Sequence, residues 1–426
     1  MLDIDDTSYD ASYFDARYRE FEQLPHLARC AGERYAVCLT DAAEWVALCL
    51  YFRERGASVA PLHPHTPLEA AKRLAQRMGC SQLLFHAVTS SSITAARDGR
   101  EHGGCLVQLS SGTTGEPKCI ERSWAALDEE ISSYGQALGE HAGKRPILAC
   151  PITHSYGLIS GVLAALRREL RPVVLTNINP KYVIRRATES DNGLLYASPT
   201  LLNVLVRLLP EEKQLCTVMT SGAPLRSAWF EQLQARCLHV LQQYGCSELG
   251  CISVNRDTRA ANEVGMPLSH LSVSAGPSRD QPREICVRVG GQVIGTKDLG
   301  YFNERSLCFV SRLDDTINVA GVNVYPQEVE EVILEFPGID EAVVYKRADP
   351  YASERVCLKF TARSPIDVVE LRRFCIANLT PFAVPLDVNQ VTEIPKLANG
   401  KINRRSLAEG DASGAGSPAQ HAELQR

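Results

Sequence analysis

The spacing of apolar and polar residues predicts alternating strands and helices in the first part of the chain. The apolar run YAVCL leads into a helical pattern over residues 42–55, and the run SVAPL leads into a second helical pattern over 68–78 before QLLF. Such alternation is typical of a parallel sheet covered by helices. Further runs predicted as strands lie at 146–150, 172–175, 193–197, 216–220 and 239–242. We therefore predict an α/β fold with a large sheet.

A further helix is predicted directly after Ser123, whose hydroxyl can accept hydrogen bonds from the first-turn backbone N–H groups. Apolar residues recur there at helical spacing. They are Trp124, Leu127, Ile131, Tyr134 and Leu138. We interpret this stripe as core packing and not as a cofactor-binding surface.

The pattern changes beyond Arg312 and predicts a separate small α+β domain. The segment INVAGVNVY resembles a hairpin, and a helix over 327–335, two strands at 342–346 and 355–362, and a helix ending near Leu379 follow. We predict a large N-terminal domain over 1–311 and a small mobile C-terminal domain over 312–410. Residues 411–426 are rich in Gly, Ser and Ala, so burial cannot offset the entropy of ordering them, and a disordered tail is expected.

Composition and charge indicate small-molecule chemistry. The 426 residues carry a net charge of -5 and no block of like charge, so nothing indicates a nucleic acid or an anionic membrane as a partner. The acidic first ten residues do not resemble a secretory signal, and the longest apolar stretch, 157–166, is shorter than the roughly 20 residues of a transmembrane helix. Fifteen cysteines without a CxxC pair indicate a reducing compartment. We expect a cytoplasmic protein.

The strongest local signal is CLVQLSSGTTGEPKC at 105–119, where an apolar strand enters a loop of small and hydroxyl-bearing residues. Small residues let backbone N–H groups approach a phosphate closely, and hydroxyls and a lysine add further donors. A flexible surface linker is disfavoured because a strand precedes the loop and a lysine ends it. The GxxxxGK[ST] pattern of P-loop proteins is absent. The candidate phosphate-binding residues are Ser110, Ser111, Gly112, Thr113, Thr114, Gly115 and Lys118.

The string LSSGTTGEPK resembles the phosphate loop of the adenylate-forming superfamily, which contains acyl- and aryl-CoA synthetases, nonribosomal-peptide adenylation domains and luciferases. Further segments match in the order that this family requires: SGAPL at 221–225, YGCSE at 244–248, TKDLGYF at 296–302, SRLDDTINVAGVNVYPQEVE at 311–330 and PKLANGKINR at 395–404. The resemblance implies ATP-dependent activation of a carboxylic acid as its acyl-AMP. It also implies Mg²⁺, and transfer of the acyl group to a thiol of CoA or of carrier-protein phosphopantetheine.

The resemblance assigns nucleotide contacts to the YGCSE segment. It implies that Tyr244 stacks on adenine, that Ser247 bonds a phosphate, and that Glu248 helps to hold Mg²⁺. Gly245, next to Tyr244, belongs to the same predicted nucleotide-binding set. A carboxylate suits this hard cation, which prefers oxygen ligands. Without the resemblance, Glu248 would more often be a solvated surface residue.

Other roles implied by the resemblance fall in the last third of the chain. Asp298 and Arg312 match residues that contact the ribose, and Asp314 matches the hinge about which the small domain rotates. Lys401 matches the catalytic lysine that bridges the substrate carboxylate and the α-phosphate. Gly321 would leave room for a pantetheine arm, although it could also be a simple turn glycine.

The substrate class is suggested by PITHSYG at 151–157. Amino-acid-activating relatives carry an aspartate early in the matching stretch to pair with the α-ammonium group, and no carboxylate is present here. His154, Tyr156 and Gly157 instead resemble the P-x-x-H-x-x-G pattern of aryl- and acyl-acid ligases, although His154 could equally be an ordinary semi-buried residue. By resemblance, the walls of the acid pocket come from His154, Tyr156, Ser221, Gly222 and Ala223. An aryl or short acyl acid is favoured.

Some features depart from the family pattern. Roughly 105 residues precede the phosphate loop, which is fewer than usual, so the N-terminal region looks shortened. Lys297 and Ser311 stand where the family commonly has glycine, and Asn318 where it often has lysine. A degenerate homologue that binds a nucleotide or acyl-adenylate without turnover, and an amide-forming ligase, remain alternatives. The choice between CoA and a carrier protein and the oligomeric state stay open.

Overall fold

The computed structural model describes residues 1–89, 92–93, 103–110, 118–189, 191–396, 402 and 404–410. The chain divides into two compact units. The first contains Met1–Val273, Val287–Gln292 and Glu304–Leu307; the second contains Ser274–Cys286, Val293–Asn303 and Cys308–Arg426. The predicted boundary between residues 311 and 312 stays a prediction.

The strands of the first part of the chain form two groups. They are β1 (Leu2–Ile4), β2 (Thr7–Tyr9), β3 (Arg34–Cys38), β4 (Ser58–Pro61), β5 (Gln82–Phe85), β6 (Ser92–Ile93), β7 (Cys105–Ser110), β8 (Lys118–Ser123), β9 (Arg145–Leu148), β10 (Val173–Val174), β11 (Gly193–Ala197), β12 (Thr217–Thr220), β13 (Val240–Cys246), β14 (Gly250–Asn255) and β15 (Glu263–Pro267). One sheet has the order β6-β5-β3-β4-β7-β8, and neighbouring strands of the larger sheet run β15-β14-β13-β12-β11-β9-β10-β1-β2.

Most of the central strands are parallel, as the alternation of strands and helices predicts. The pairs β3–β4, β9–β11, β11–β12 and β12–β13 are parallel, whereas β13–β14 and β14–β15 are antiparallel. The parallel strands are buried on both faces, which explains their continuous apolar runs. The carboxyl ends of β12 and β13 therefore meet at one edge, where α/β proteins commonly bind ligands.

Helices cover these sheets. They are α1 (Ala11–Gln23), α2 (Pro25–Ala28), α3 (Ala42–Arg55), α4 (Leu68–Arg77), α5 (Trp124–Ala137), α6 (Ala164–Arg167), α7 (Pro180–Ala187), α8 (Pro199–Leu208) and α9 (Ser227–Arg236), with a 3-10 helix at Gly139–His141 and a π-helix at Tyr156–Leu163. The Ser123 hydroxyl accepts from the Ala126 N–H at 3.2 Å and caps α5. The five apolar residues of the predicted α5 stripe are buried, so the core interpretation is confirmed.

The rest of the chain contains further strands and helices. They are β16 (Ser272–Ser274), β17 (Arg283–Val289), β18 (Gln292–Phe302), β19 (Leu307–Arg312), β20 (Ile317–Val319), β21 (Val322–Val324), α10 (Pro326–Leu334), β22 (Ile339–Asp349), β23 (Ser353–Ala362), α11 (Val368–Asn378), a 3-10 helix at Pro381–Ala383, β24 (Asp387–Gln390) and α12 (Arg404–Gly410). A five-stranded sheet has the order β21-β20-β23-β22, with β24 beside β23. Its core includes Ile317, Ile333, Leu358 and Leu371.

The predicted fold class is confirmed: large parallel-rich sheets covered by helices, together with a smaller α+β part. Among the helices that the structure describes, none combines the length and apolar character needed to cross a membrane.

Candidate active site

The predicted phosphate loop joins two antiparallel strands. Ser110 ends β7 and Lys118 begins β8, and the two residues are register partners. The hairpin thus brings the two flanks of the loop together and leaves Lys118 exposed. The loop itself, with Ser111, Gly112, Thr113, Thr114 and Gly115, lies outside the described residues, so the predicted phosphate contacts stay predictions.

The PITHSYG segment is attached to the strand that leads into this loop. The Ser155 hydroxyl donates to the Gln108 side-chain oxygen at 2.5 Å. Gln108 lies on β7, two positions before Ser110. His154 is exposed at the same turn. The segment predicted to bind the acid is therefore fixed directly to the strand predicted to position the ATP phosphates.

Tyr156, at the start of the π-helix, connects this segment to SGAPL. Its hydroxyl donates to the carbonyl oxygen of Met219 at 2.5 Å, and Met219 lies in β12, two positions before Ser221. Burial raises the pKa of Tyr156 well above its usual value, so the phenol stays protonated and acts as a donor. The rings of Tyr156 and Tyr196 are tilted, with centroids 5.6 Å apart.

SGAPL is in turn attached to the strand that carries YGCSE. The Ser221 hydroxyl donates to the Gln243 carbonyl oxygen at 3.0 Å, and the Gln243 side chain donates to the Ser160 hydroxyl at 3.1 Å. Gln243 directly precedes Tyr244, and Ser160 lies in the π-helix. Three sequence-predicted segments therefore converge. Gly222 and Ala223 are exposed beside Ser221, as wall residues of an open site would be.

The YGCSE segment forms the end of β13 and its turn into β14. The register shifts between Tyr244 and Gly245. A β-carbon on Gly245 would overlap the carbonyl oxygen of Gly250, so only glycine fits this close approach of the two strands. Tyr244 is buried, while Ser247 and Glu248 lie in the turn, half-buried and exposed respectively. The segment thus presents a carboxylate and a hydroxyl close to the predicted adenine contact.

The exposed Glu248 carboxylate fits the predicted Mg²⁺ contact. Protein-bound Mg²⁺ usually keeps several waters and takes one or two carboxylates together with substrate phosphates. The described residues contain no group of three or more His, Cys, Asp or Glu side chains that could hold a metal ion. Burial, and then the nearby Glu248, raise the pKa of the neighbouring Cys246 thiol to about 12.

The second unit brings together three other predicted site residues. Asp298 is a buried residue of β18, and its Oδ1 lies 3.5 Å from Nε of Arg312, which ends β19. A second nitrogen of Arg312 lies 3.9 Å from the exposed Asp314 carboxylate. A carboxylate can accept hydrogen bonds from neighbouring hydroxyls, and the guanidinium beside it can donate to them. The arrangement suits the predicted ribose contacts, and those contacts and the Asp314 hinge remain predictions.

Gly321 lies in a two-residue turn between β20 and β21. Ala320 and Gly321 have φ values of 51° and 86°, the positive pair of a type I′ hairpin. The Gly321 N–H donates to the Asn318 side chain at 3.0 Å. The turn thus supplies a backbone reason for glycine, as the alternative interpretation held, and the role beside a thiol arm stays a prediction. The predicted catalytic residue, Lys401, lies outside the described residues.

Sequence reasoning missed the polar side chains that hold these segments together. Gln108, Ser155, Ser160 and Gln243 make hydrogen bonds between segments that are distant in the chain. Glutamine and serine are common surface residues, and no spacing rule distinguishes these four from solvated ones. Gln108 and Ser155 lie inside recognised segments and Gln243 directly precedes one, so position in the sequence was the available signal.

Two family models match the chain. The model described as AMP-binding enzyme matches residues 94–288, and the model described as AMP-binding enzyme C-terminal domain matches residues 328–401. Together they include the phosphate loop, YGCSE and Lys401.

The chain is also similar to curated proteins and to a solved structure. It is 39% identical over 413 residues to a 3,4-dihydroxybenzoate--[aryl-carrier protein] ligase of Bacillus anthracis, a match that covers 97% of this chain and 100% of the relative. It is 29% identical to a 2-succinylbenzoate--CoA ligase of Listeria monocytogenes, over 71% of this chain and 69% of the relative. The AMP complex of the o-succinylbenzoate coenzyme A synthetase of Bacillus subtilis shares the fold, with a TM-score of 0.80 at 22% identity over 95% of this chain and 94% of that one.

The ordered motifs, the convergence of their described residues and the identity along the whole length of a relative agree with one another. This chain therefore belongs to the AMP-binding enzyme family of adenylate-forming ligases, and it activates a carboxylic acid with ATP as its acyl-AMP.

Proposed function

We propose that this enzyme adenylates an aromatic carboxylic acid, uses ATP with Mg²⁺, and transfers the aryl group to the phosphopantetheine thiol of an aryl carrier protein. The observation that carries the proposal is the 39% identity over the full length of a relative named for this chemistry. The family match alone supports only activation of a carboxylic acid.

The acid side of the site supports an aryl substrate. PITHSYG has no carboxylate to pair with an α-ammonium group. The hydroxyl of Tyr156 is bonded to a backbone carbonyl, so the ring is what this residue offers to a substrate. Flat apolar surface with a few fixed polar groups is typical of small-molecule sites. We therefore place benzoic acids with hydroxyl substituents first among the candidate substrates.

The residues of the chain have distinct parts in the proposed reaction. Lys118 and the phosphate loop hold the triphosphate, Tyr244 packs on adenine, and Asp298 with Arg312 orients the ribose. The Lys401 ammonium stabilises the negative charge that spreads over the α-phosphate while the carboxylate attacks and pyrophosphate leaves. Mg²⁺, when bound, neutralises further charge on the phosphates.

A substrate panel tests this proposal. We would measure pyrophosphate release with 3,4-dihydroxybenzoate, other hydroxybenzoates, benzoate, short fatty acids and amino acids. We would then offer the adenylate to CoA, to a holo aryl carrier protein and to the apo carrier, which lacks the thiol. We expect release with a hydroxybenzoate and acylation of the holo carrier only. Release with amino acids or fatty acids, but not with aryl acids, would contradict the substrate assignment.

A second candidate acceptor is CoA, which is favoured by the match to a 2-succinylbenzoate--CoA ligase. That match covers less of the chain at lower identity than the match to the carrier-protein ligase. The same assay distinguishes the acceptors: formation of an aryl-CoA thioester without acylation of the holo carrier would favour CoA and reject the carrier protein.

A further inference from the structure

A buried ion pair joins elements that carry predicted ATP contacts in the first unit. Arg122 lies on β8, four positions after Lys118, and Glu130 lies on α5. A guanidinium nitrogen of Arg122 contacts one carboxylate oxygen of Glu130, and the two residues are only 8% and 2% exposed. Neither residue belongs to a motif recognised in the sequence.

The second carboxylate oxygen of Glu130 reaches the hairpin formed by β13 and β14, here called the YGCSE hairpin. It accepts a hydrogen bond from the Cys251 N–H at 2.8 Å. Cys251 is the second residue of β14, just beyond the turn that carries Ser247 and Glu248. One carboxylate therefore binds both the strand that begins at Lys118 and the strand that follows YGCSE.

The backbone at Gly250 lies directly against the Arg122–Glu130 ion pair. Gly250 has φ 72°, and a β-carbon there would overlap both the Arg122 guanidinium and the Glu130 carboxylate. Glycine leaves the space that the ion pair occupies, directly against the hairpin. Two independent features, a hydrogen bond and a steric fit, thus connect the pair to the YGCSE hairpin.

The pair also connects two different sheets. β8 is the edge strand of the six-stranded sheet, whereas β14 belongs to the larger sheet. Replacing a buried ion pair with apolar residues is often neutral for stability, so stability alone does not account for this one. A fixed distance between the two strands would instead set the separation of Lys118 from Tyr244 and Glu248.

We propose that Arg122 and Glu130 are positioning residues for ATP. They hold β8, which follows the phosphate loop, and the YGCSE hairpin at the distance from each other that the nucleotide needs. The inference rests on the predicted ATP contacts of Lys118, Tyr244 and Glu248. Displacement of a positioned group by about 1 Å can lower the rate about a hundredfold. An ion pair that fixes the distance between two parts of the site should therefore have a measurable effect on the reaction.

The main test is the double variant Arg122→Met with Glu130→Gln. It removes both charges, leaves no unpaired ion in the core, and keeps an oxygen for the Cys251 N–H. We expect KM for ATP to rise about tenfold while KM for the acid changes by less than about twofold. Arg122→Lys keeps a positive charge beside Glu130 but loses the forked guanidinium, so it should raise KM for ATP about threefold and provides the test if the double variant does not fold.

Asp3→Asn is the matched control. Asp3 is a largely buried carboxylate of the same unit that contacts Arg145 and lies 2.8 Å from Arg171, and it bears no relation to the predicted ATP contacts. Its effect on melting temperature measures the cost of removing a buried carboxylate from this unit, and neither KM should change. Gly250→Ala should shift KM for ATP in the same direction as the double variant, because the methyl group would displace the pair.

Lys118→Ala and Glu248→Gln, assayed in parallel, separate the inference from its premise. If these variants raise KM for ATP while folded Arg122 and Glu130 variants do not, the positioning role is wrong and the ATP site stands. If neither Lys118→Ala nor Glu248→Gln changes KM for ATP, the assigned ATP site itself is wrong. If the Arg122 and Glu130 variants raise KM for ATP and KM for the acid equally, the ion pair is an ordinary structural contact and the proposal is wrong.

Discussion

Lys297 occupies a backbone conformation that favours glycine. Its φ is 61°, in the left-handed region, where a side chain costs roughly 1 kcal/mol per residue. The conformation is held by hydrogen bonds on both sides, from the Lys297 N–H to Glu284 at 3.0 Å and from the Leu313 N–H to the Lys297 carbonyl at 2.8 Å. The glycine common at this position in the family thus has a steric reason, which this chain overrides next to Asp298.

We predict that Lys297→Gly raises the free energy of unfolding by about 0.5–1 kcal/mol, because it relieves the left-handed strain. Lys297→Ala is the matched control: it also removes the lysine side chain but keeps the β-carbon, so it should not stabilise. Urea unfolding measures both variants. Equal stability of the glycine and alanine variants would contradict a backbone origin.

The candidate site was predictable from sequence where single residues carry a recognisable chemical role. Tyr156, Ser221 and Tyr244 were predicted, and the structure connects their segments by hydrogen bonds. The partners that make those connections, such as Gln243, were not predicted. Their role depends on which distant segments the fold brings together, and that information is absent from local spacing.

At the scale of elements, Arg404, the first residue of α12, connects this helix to other parts of the second unit. Arg404 donates to the Val344 carbonyl at 3.0 Å, to Glu330 at 2.7 Å and to Asp315 at 3.2 Å. Burial lowers the pKa of Arg404, but the carboxylates of Glu330 and Asp315 outweigh it and raise the pKa above its usual value. The guanidinium therefore stays charged, next to α10 and three positions after Lys401.

We predict that Arg404→Met lowers the stability of the second unit by about 3–5 kcal/mol, because it leaves the buried Glu330 carboxylate without its cation. Adding Glu330→Gln should recover most of the loss, since the amide oxygen can still accept from the Val344 N–H. Urea unfolding compares the variants. A double variant as unstable as Arg404→Met would show that the charge is not the cause.

Elements were predictable where local signals agree. The helix predicted over 42–55 is observed at Ala42–Arg55, where Asp41 caps its start and Gly56 ends it in the left-handed conformation. Other elements depend on distant partners. β13 continues beyond the predicted 239–242 to Cys246 because it pairs with β14, and β1 forms because it pairs with β10. Neither pairing has a local sequence signal.

At the scale of the whole molecule, we expect this chain to form an acyl-adenylate in a first half-reaction that needs no thiol. The match to a relative along its entire length includes both the phosphate-loop segment and the lysine segment. Because Lys401 would act on the transferring phosphate, its loss should remove catalysis of that step without unfolding the protein.

The most direct test is acid-dependent exchange of labelled pyrophosphate into ATP, measured without any thiol acceptor. We predict exchange with a hydroxybenzoate, a loss of about a hundredfold or more in Lys401→Ala, and near wild-type exchange in the control Lys396→Ala, which removes an exposed lysine paired with Glu341. Exchange that needs no acid, cleavage of ATP to ADP and phosphate, or full exchange in Lys401→Ala would contradict the account.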